Sequence, residues 1–293
     1  MPSAANRPGV PPGRAIEIPG RGVTWVREIP GPRGAPVVLL LHGLGATGGL
    51  NWFSVFEALG KRYRVIAVDH RGHGRGVRLN GRFRLADCAD DAAALVAQLG
   101  IERVIAVGYS MGGPVAQLLW HRHPTRVAGL VFCATSRNFR GSSRRHFGEV
   151  VFPAMIPGLA FGSRLFPKAL RKKMLRDFLA QRIKNPTSLE WVISEVSDHD
   201  FAAIFEAAAS VMRYSSADWI GSIDVPTAVV VTERDQLVTP DAQRKLAASI
   251  PGATVHSVDG DHGACAYSPR EFATALLDAC ESVADRGSRR AAG

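Results

Sequence analysis

IAVGYSMGGPVAQLL, residues 105–119, decides how the chain is read. Apolar and β-branched residues run into Gly108-Tyr109-Ser110-Met111-Gly112-Gly113, and an apolar, helix-prone run follows. That order fits a strand, a sharp turn and a helix. Ser110 is then either a nucleophile or a small residue in a tight turn. Gly108-x-Ser110-x-Gly112 is a short pattern that chance also produces, so its setting and its partners elsewhere in the chain must carry the reading.

Strand-like and helix-like runs alternate on both sides of it. VVLLL (37–41), VIAVD (65–69), VIAVG (104–108), LVFCA (130–134), AVVVT (228–232) and TVHSV (254–258) read as strands. Helices are expected near 52–59, 86–99, 111–122, 241–249 and 269–284. Short apolar strands separated by helices predict an α/β fold, a mostly parallel, doubly wound sheet covered on both faces. AIEI and VTWVRE, near the N-terminus, suggest an antiparallel hairpin at the sheet edge.

The rhythm breaks between about 136 and 217, where the candidates are helices at 167–182, 187–197 and 200–213, punctuated by Pro153, Pro157, Pro167 and Pro186. This reads as a helical insertion starting at a strand's C-terminal end. Ligands of open α/β sheets bind outside those ends, so the insertion is expected to cap the site. The expected division is a disordered tail at 1–15, an α/β core at 16–136 and 218–285, a helical cap at 137–217 and a second disordered tail at 286–293.

Composition narrows the class. With 293 residues and 46% hydrophobic content, the chain is long enough for one large domain with an insertion. No apolar run approaches the roughly 18 residues of a membrane span, and the N-terminal stretch has no apolar signal-peptide core. Cys88, Cys133, Cys265 and Cys280 show no CxxC spacing and read as reduced core thiols of a cytoplasmic protein. No His/Cys cluster has ligand spacing, so no metal is expected.

The net charge is +10, and residues 137–184 hold 12 Lys or Arg against 2 acids. Within that segment Leu165, Leu170, Met174, Leu175, Phe178 and Leu179 fall on one helical face, with Lys168, Arg171, Lys172, Arg176 and Arg182 mostly elsewhere. The plain expectation is a cap helix packed on the body with solvated charges. The competing one is peripheral contact with an anionic membrane. No nucleic-acid motif or aromatic platform accompanies the charge, so nucleic acid is not an expected partner.

Two glycine patterns compete for the chemistry. Gly43-x-Gly45-x-x-Gly48 follows a strand, and Asp69 ends the next strand, as in a dinucleotide-binding fingerprint. Against it, Asn51-Trp52-Phe53 follows the glycines closely, and the preceding hairpin makes VVLLL a later strand than that fingerprint occupies. The Ser110 pattern needs a base and an acid, because a serine hydroxyl alone is a poor nucleophile. His256 lies inside TVHSV, whereas His262 lies in the loop just past it, where a base belongs. Asp235 lies in the loop after AVVVT, with Glu233 as the fallback acid. Singly, Asp235 reads as a turn residue and His262 as a solvated one. Ser, Asp and His in that order, each after its own strand, make a coincidence hard to sustain.

HGLG (42–45), DHRGHG (69–74), GYSMGG (108–113), the Asp235 loop and GDH (260–262) together resemble the α/β-hydrolase family, over about residues 20–285. The likeness is to its serine esterase and lipase-like branch with a helical cap. The resemblance implies catalytic Ser110, Asp235 and His262, with backbone N–H groups of Leu44 and Met111 forming the oxyanion hole. It assigns Asp69, Arg71, Gly72, His73 and Gly74 to a structural loop, and a serine nucleophile argues against the epoxide hydrolase and dehalogenase branches. The implied activity is hydrolysis of a small-molecule or lipid carboxylic ester through an acyl-enzyme, with no cofactor. The alternatives are a relative with the same three residues and other chemistry (C–C bond hydrolase, lactonase, thioesterase or acyltransferase, cofactor-free haloperoxidase) and a non-catalytic binding protein on the same fold.

Overall fold

The computed structural model describes residues 9–139, 173, 175–177, 179, 180 and 185–292, without side chains for 290–292. Its centre is an eight-stranded sheet of order β1-β2-β4-β3-β5-β6-β7-β8. The strands are β1 (Gly13–Ile18), β2 (Gly22–Ile29), β3 (Val37–Leu41), β4 (Arg64–Val68), β5 (Val104–Tyr109), β6 (Val127–Cys133), β7 (Thr227–Thr232) and β8 (Thr254–Val258). β1 and β2 form the expected antiparallel hairpin at one edge, and β2 runs antiparallel to β4. The remaining strands are parallel.

Alternation within the strands explains their unbroken apolar character. Leu39, Leu41, Ile66, Ala106, Phe132 and Val229 face one core; Val38, Leu40, Val65, Ile105, Val131 and Val230 face the other. A strand buried on both sides has no polar face to show. The first core is closed by α3 (Leu85–Gln98), α4 (Gly112–Arg122) and α7 (Pro240–Ala248) through residues such as Leu95, Leu119 and Leu246. The second is closed by α1 (Gly48–Trp52), α2 (Phe56–Gly60), α8 (Ala264–Tyr267) and α9 (Pro269–Ala292) through Trp52, Phe56, Cys265, Phe272 and Leu276. Where one helix was expected near 52–59 there are two short ones, α1 and α2. All four cysteines are buried and free.

Between β6 and β7 the described residues hold α5 (Pro186–Val196) and α6 (Phe201–Arg213), and their only β pairing is one bridge, Asn138 to Ser215. Asn185 caps α5 by accepting from Ser188 N–H, and Asp200 caps α6 by accepting from Ala202 and Ala203 N–H. Most of the basic segment, including the helix expected over 167–182, lies outside the described residues. Of its visible parts, Leu175 is buried, and Arg176 pairs with Glu190 on α5 at 2.5 Å.

Two boundaries differ from the sequence reading. The N-terminal tail gives way to structure before Ala15: Val10 is buried, Pro11 O accepts from Arg27 at 2.7 Å, and β1 begins at Gly13. The C-terminal segment 286–292 continues α9 as helix. Arg286 anchors it, donating to Gly252 O at 2.5 Å and Thr227 O at 2.7 Å, contacts between distant segments that local composition does not reveal. Among the described residues no helix is long and apolar enough to cross a membrane.

Candidate active site

The strand order reverses at β3 and β5: the chain steps from β3 outward to β4, then returns to place β5 on β3's other side. The loops after β3 and β5 therefore meet at the crevice where such sheets bind ligands. The loop after β5 is the Ser110 turn. Ser110 has φ +51°, a left-handed conformation rare outside glycine. It is held there by its N–H on Cys133 O (2.9 Å) and by its own carbonyl, which accepts from Gly113 N–H (2.9 Å) and Thr135 Oγ1 (2.8 Å). The flanking glycines are sterically required. A Cβ on Gly108 would sit 2.2 Å from Gly112 O, and one on Gly112 would sit 2.0 Å from Leu41 O.

Three side chains that sequence places far apart are in one hydrogen-bonded line. His262 Nε2 is 2.9 Å from Ser110 Oγ, and His262 Nδ1 is 2.8 Å from Asp235 Oδ2. The carboxylate accepts, so the network puts the ring proton on Nδ1 and leaves Nε2 free to accept from the serine. The Asp235 side chain is fully buried. Its Oδ1 accepts from Leu237 and Val238 N–H, and its Oδ2 from Thr232 Oγ1 as well as His262. Gln243 braces the same corner, reaching Thr232 Oγ1 at 2.7 Å and Asp235 Oδ2 at 3.3 Å. On the other side Tyr109 OH donates to His262 O at 2.7 Å, so the residue before Ser110 also holds the loop that carries the histidine.

The fallback acid Glu233 and the other histidine, His256, lie elsewhere. Glu233 is turned to Arg244 and Ser257. His256 stays on β8 beside Thr254, and burial lowers its pKa.

Gly43, just before Leu44, passes so close that a Cβ on it would be 3.4 Å from Ser110 Cβ. Met111 follows the serine at the start of α4, which has no side-chain cap. Among the described residues no carbonyl or side chain takes the N–H of Leu44 or Met111. A helix N-terminus with open N–H groups favours an anion beside it.

Asp69 does not behave as a ribose-binding acid. It is buried, and its oxygens accept from Gly48 N–H (2.8 Å) and Arg75 N–H (3.0 Å), tying the β3 loop to the β4 loop. Burial raises its pKa to about 6 even though those two hydrogen bonds pull it down. A group of histidines that the sequence reading left without individual roles lies behind the same loops. His42 Nδ1–H donates to Gly43 O at 2.7 Å, and its Nε2 accepts from His70 N–H at 2.9 Å. Burial, then the neighbouring His70 and His73, holds His42 well below the ordinary histidine pKa. Burial likewise pushes His70 to about 3 and His73 to about 4. The signal available in sequence was the HG and DHRGHG spacing, which names the loops and not their contacts. Among the described residues no group of three or more His, Cys, Asp or Glu is placed to hold a metal ion.

A family model for the alpha/beta hydrolase fold matches residues 36–269. The chain belongs to the alpha/beta hydrolase fold family. The curated relatives of this alpha/beta hydrolase include the magnesium-chelatase 30 kDa subunit of Rhodobacter capsulatus, 31% identical over 81% of this chain and 84% of that one. They also include a putative carbamate hydrolase, RutD, of Variovorax paradoxus (strain S110), 30% identical over 89% of this chain and 97% of the other. Among solved structures, the enol-lactonase from Burkholderia xenovorans LB400 superposes with a TM-score of 0.72 over 92% of this chain and 100% of that one, at 24% identity. At that identity the likeness speaks for the fold.

Proposed function

We propose that this alpha/beta hydrolase cleaves carboxylic esters by a serine mechanism through an acyl-enzyme. The observation that carries the reading is the line Ser110–His262–Asp235, held on three different loops with the serine in a strained turn. His262 Nε2 takes the Ser110 proton as Oγ attacks the carbonyl carbon, and the carbonyl π pair moves onto oxygen. Asp235 holds the ring in the tautomer that can do this and stabilises the imidazolium that forms. The N–H groups of Leu44 and Met111 receive the oxyanion; one such donor is worth roughly 3–4 kcal/mol in comparable enzymes. Collapse of the intermediate expels the alcohol, protonated by His262. Water, deprotonated by the same nitrogen, then releases the acid and restores the serine.

The test is turnover of p-nitrophenyl esters from acetate to palmitate, with wild type beside Ser110→Ala. Loss of turnover in the variant at unchanged melting temperature is the expected result, and the chain-length optimum sizes the acyl pocket. Equal rates in the two proteins would remove the mechanism. Carbamates and lactones present the same electrophilic carbonyl and belong in the same panel.

A second reading is favoured by the likeness to the magnesium-chelatase subunit, which spans 81% of this chain. In it the protein works beside a chelatase and docks on its other subunits. Co-elution of the purified chain with those subunits on gel filtration is the expected result, and separate elution removes it. The two readings are compatible, since docking does not need the serine.

A further inference from the structure

We propose that His199, carried by the insertion, is a positioning residue for the oxyanion hole, holding the Leu44 N–H through two peptide groups. The inference rests on the ester-hydrolase reading for the role of Leu44.

His199 lies between α5 and α6 and reaches back to the body with both ring nitrogens. Gly74 N–H donates to its Nδ1 at 2.6 Å, so Nδ1 carries no proton. The proton is therefore on Nε2, which donates to Gly45 O at 3.2 Å. Gly45 O belongs to the same peptide group as Ala46 N–H, and Ala46 N–H donates to Gly43 O at 3.3 Å. Gly43 O in turn shares its peptide group with Leu44 N–H. Among the described residues there are no cis peptides, so each carbonyl of this loop and its N–H point opposite ways across one plane. Fixing Gly45 O thus aims Ala46 N–H at Gly43 O, and fixing Gly43 O aims Leu44 N–H away from it. Hydrogen bonds in such a chain polarise one another, so the donor at the far end is strengthened as well as aimed.

The ring is suited to this. Burial first, then the charge of His73, brings the His199 pKa down to about 3. It therefore stays neutral, one nitrogen donating and the other accepting, and a protonated ring would lose the Gly74 bond. His42 Nδ1 converges on the same Gly43 O from the body side. A second tether keeps the insertion in place beyond the relay. Glu195 on α5 is buried, pairs with Arg27 at 2.5 Å and accepts from Thr47 Oγ1 at 2.6 Å, at the end of the same loop. The insertion thus grips the loop at Gly45 and Thr47, on the C-terminal side of the Leu44 donor.

The experiment compares His199→Phe and His199→Gln with wild type on a p-nitrophenyl ester, beside the rate at which a fluorophosphonate labels Ser110. Phosphonylation needs the serine and the oxyanion donors but no natural substrate. The expected result for His199→Phe is kcat down about tenfold with KM changed by less than about twofold, short of the ~100-fold of losing a donor outright. Labelling should slow in parallel. Gln offers an N–H near the Nε2 position and should recover most of both rates. A His199→Phe protein labelled at the wild-type rate would overturn the proposal. So would a loss that Gln does not rescue and that tracks a fall in melting temperature, which marks a merely structural contact. If wild-type Ser110 neither turns over esters nor takes the label, the ester-hydrolase reading fails first and this inference with it.

Discussion

At Ser110 the backbone stores strain that the surrounding atoms must hold. A non-glycine residue at φ +51° costs of order 1–3 kcal/mol, and it persists where neighbours over-determine it. Here the N–H, the carbonyl and the flanking glycines all do so. Gly108→Ala is the sharpest test, because its Cβ would meet backbone, the Gly112 carbonyl, at 2.2 Å. A backbone neighbour cannot swing aside as a side-chain tip can. The expected outcome is a loss of about 3 kcal/mol or more in urea unfolding, together with activity. A variant with wild-type stability would mean that the turn is looser than described. The residues of this site were legible because each sits just past its own strand and in the order Ser, Asp, His. Their supports were not. Nothing in the local pattern says that Gln243 braces Asp235 or that Tyr109 reaches the carbonyl of His262.

Among the elements, the inner strands were readable because both of their faces are apolar, as in VVLLL, which matches its observed bounds; TVHSV also matches, although β8 is an edge strand with only Val258 buried. The helices were less so. The expected helix near 52–59 splits at Phe53, and α9 runs past Gly287 because Arg286 finds carbonyls on other segments. The insertion's grip on the body was invisible for the same reason. Arg27 and Glu195 are 168 residues apart, yet their side chains are only 7% and 4% exposed. A buried ion pair adds little net stability while intact, but removing one partner strands the other charge. Glu195→Ala is therefore expected to lower unfolding free energy by about 3–5 kcal/mol. Urea denaturation reads it, and a change within about 0.5 kcal/mol, as at an ordinary surface site, would show that the pair is solvated.

For the whole molecule, three buried histidines and the half-buried His199 set how stability responds to acid. His42, His70, His73 and His199 are each held neutral by burial, with folded pKa values depressed below the unfolded 6.5, to about 3 or 4 where resolved. Between those limits the unfolded chain binds protons that the folded chain does not, so stability falls as pH drops from about 6.5 toward about 4. Asp69 acts in the opposite sense. Its folded pKa of about 6 exceeds 3.8, so its contribution improves as pH falls through that window. His256, lowered by its own burial, acts in the same sense, so five histidines against one carboxyl leave a net loss, at about 1.4 kcal/mol per pH unit for each net proton. Urea midpoints at neutral and mildly acid pH check this: a lower midpoint in acid is expected, and a flat or rising one would place those histidines in water. The parallel sheet and its switch point put the loops after β3, β5, β7 and β8 at one end, and the proposed serine chemistry depends on that convergence. Its most direct test is mass spectrometry after treatment with a fluorophosphonate. One adduct on Ser110 in wild type, none in Ser110→Ala and a much slower reaction in His262→Ala are expected. An unlabelled wild-type serine, or equal labelling without His262, would contradict an activated nucleophile at this site.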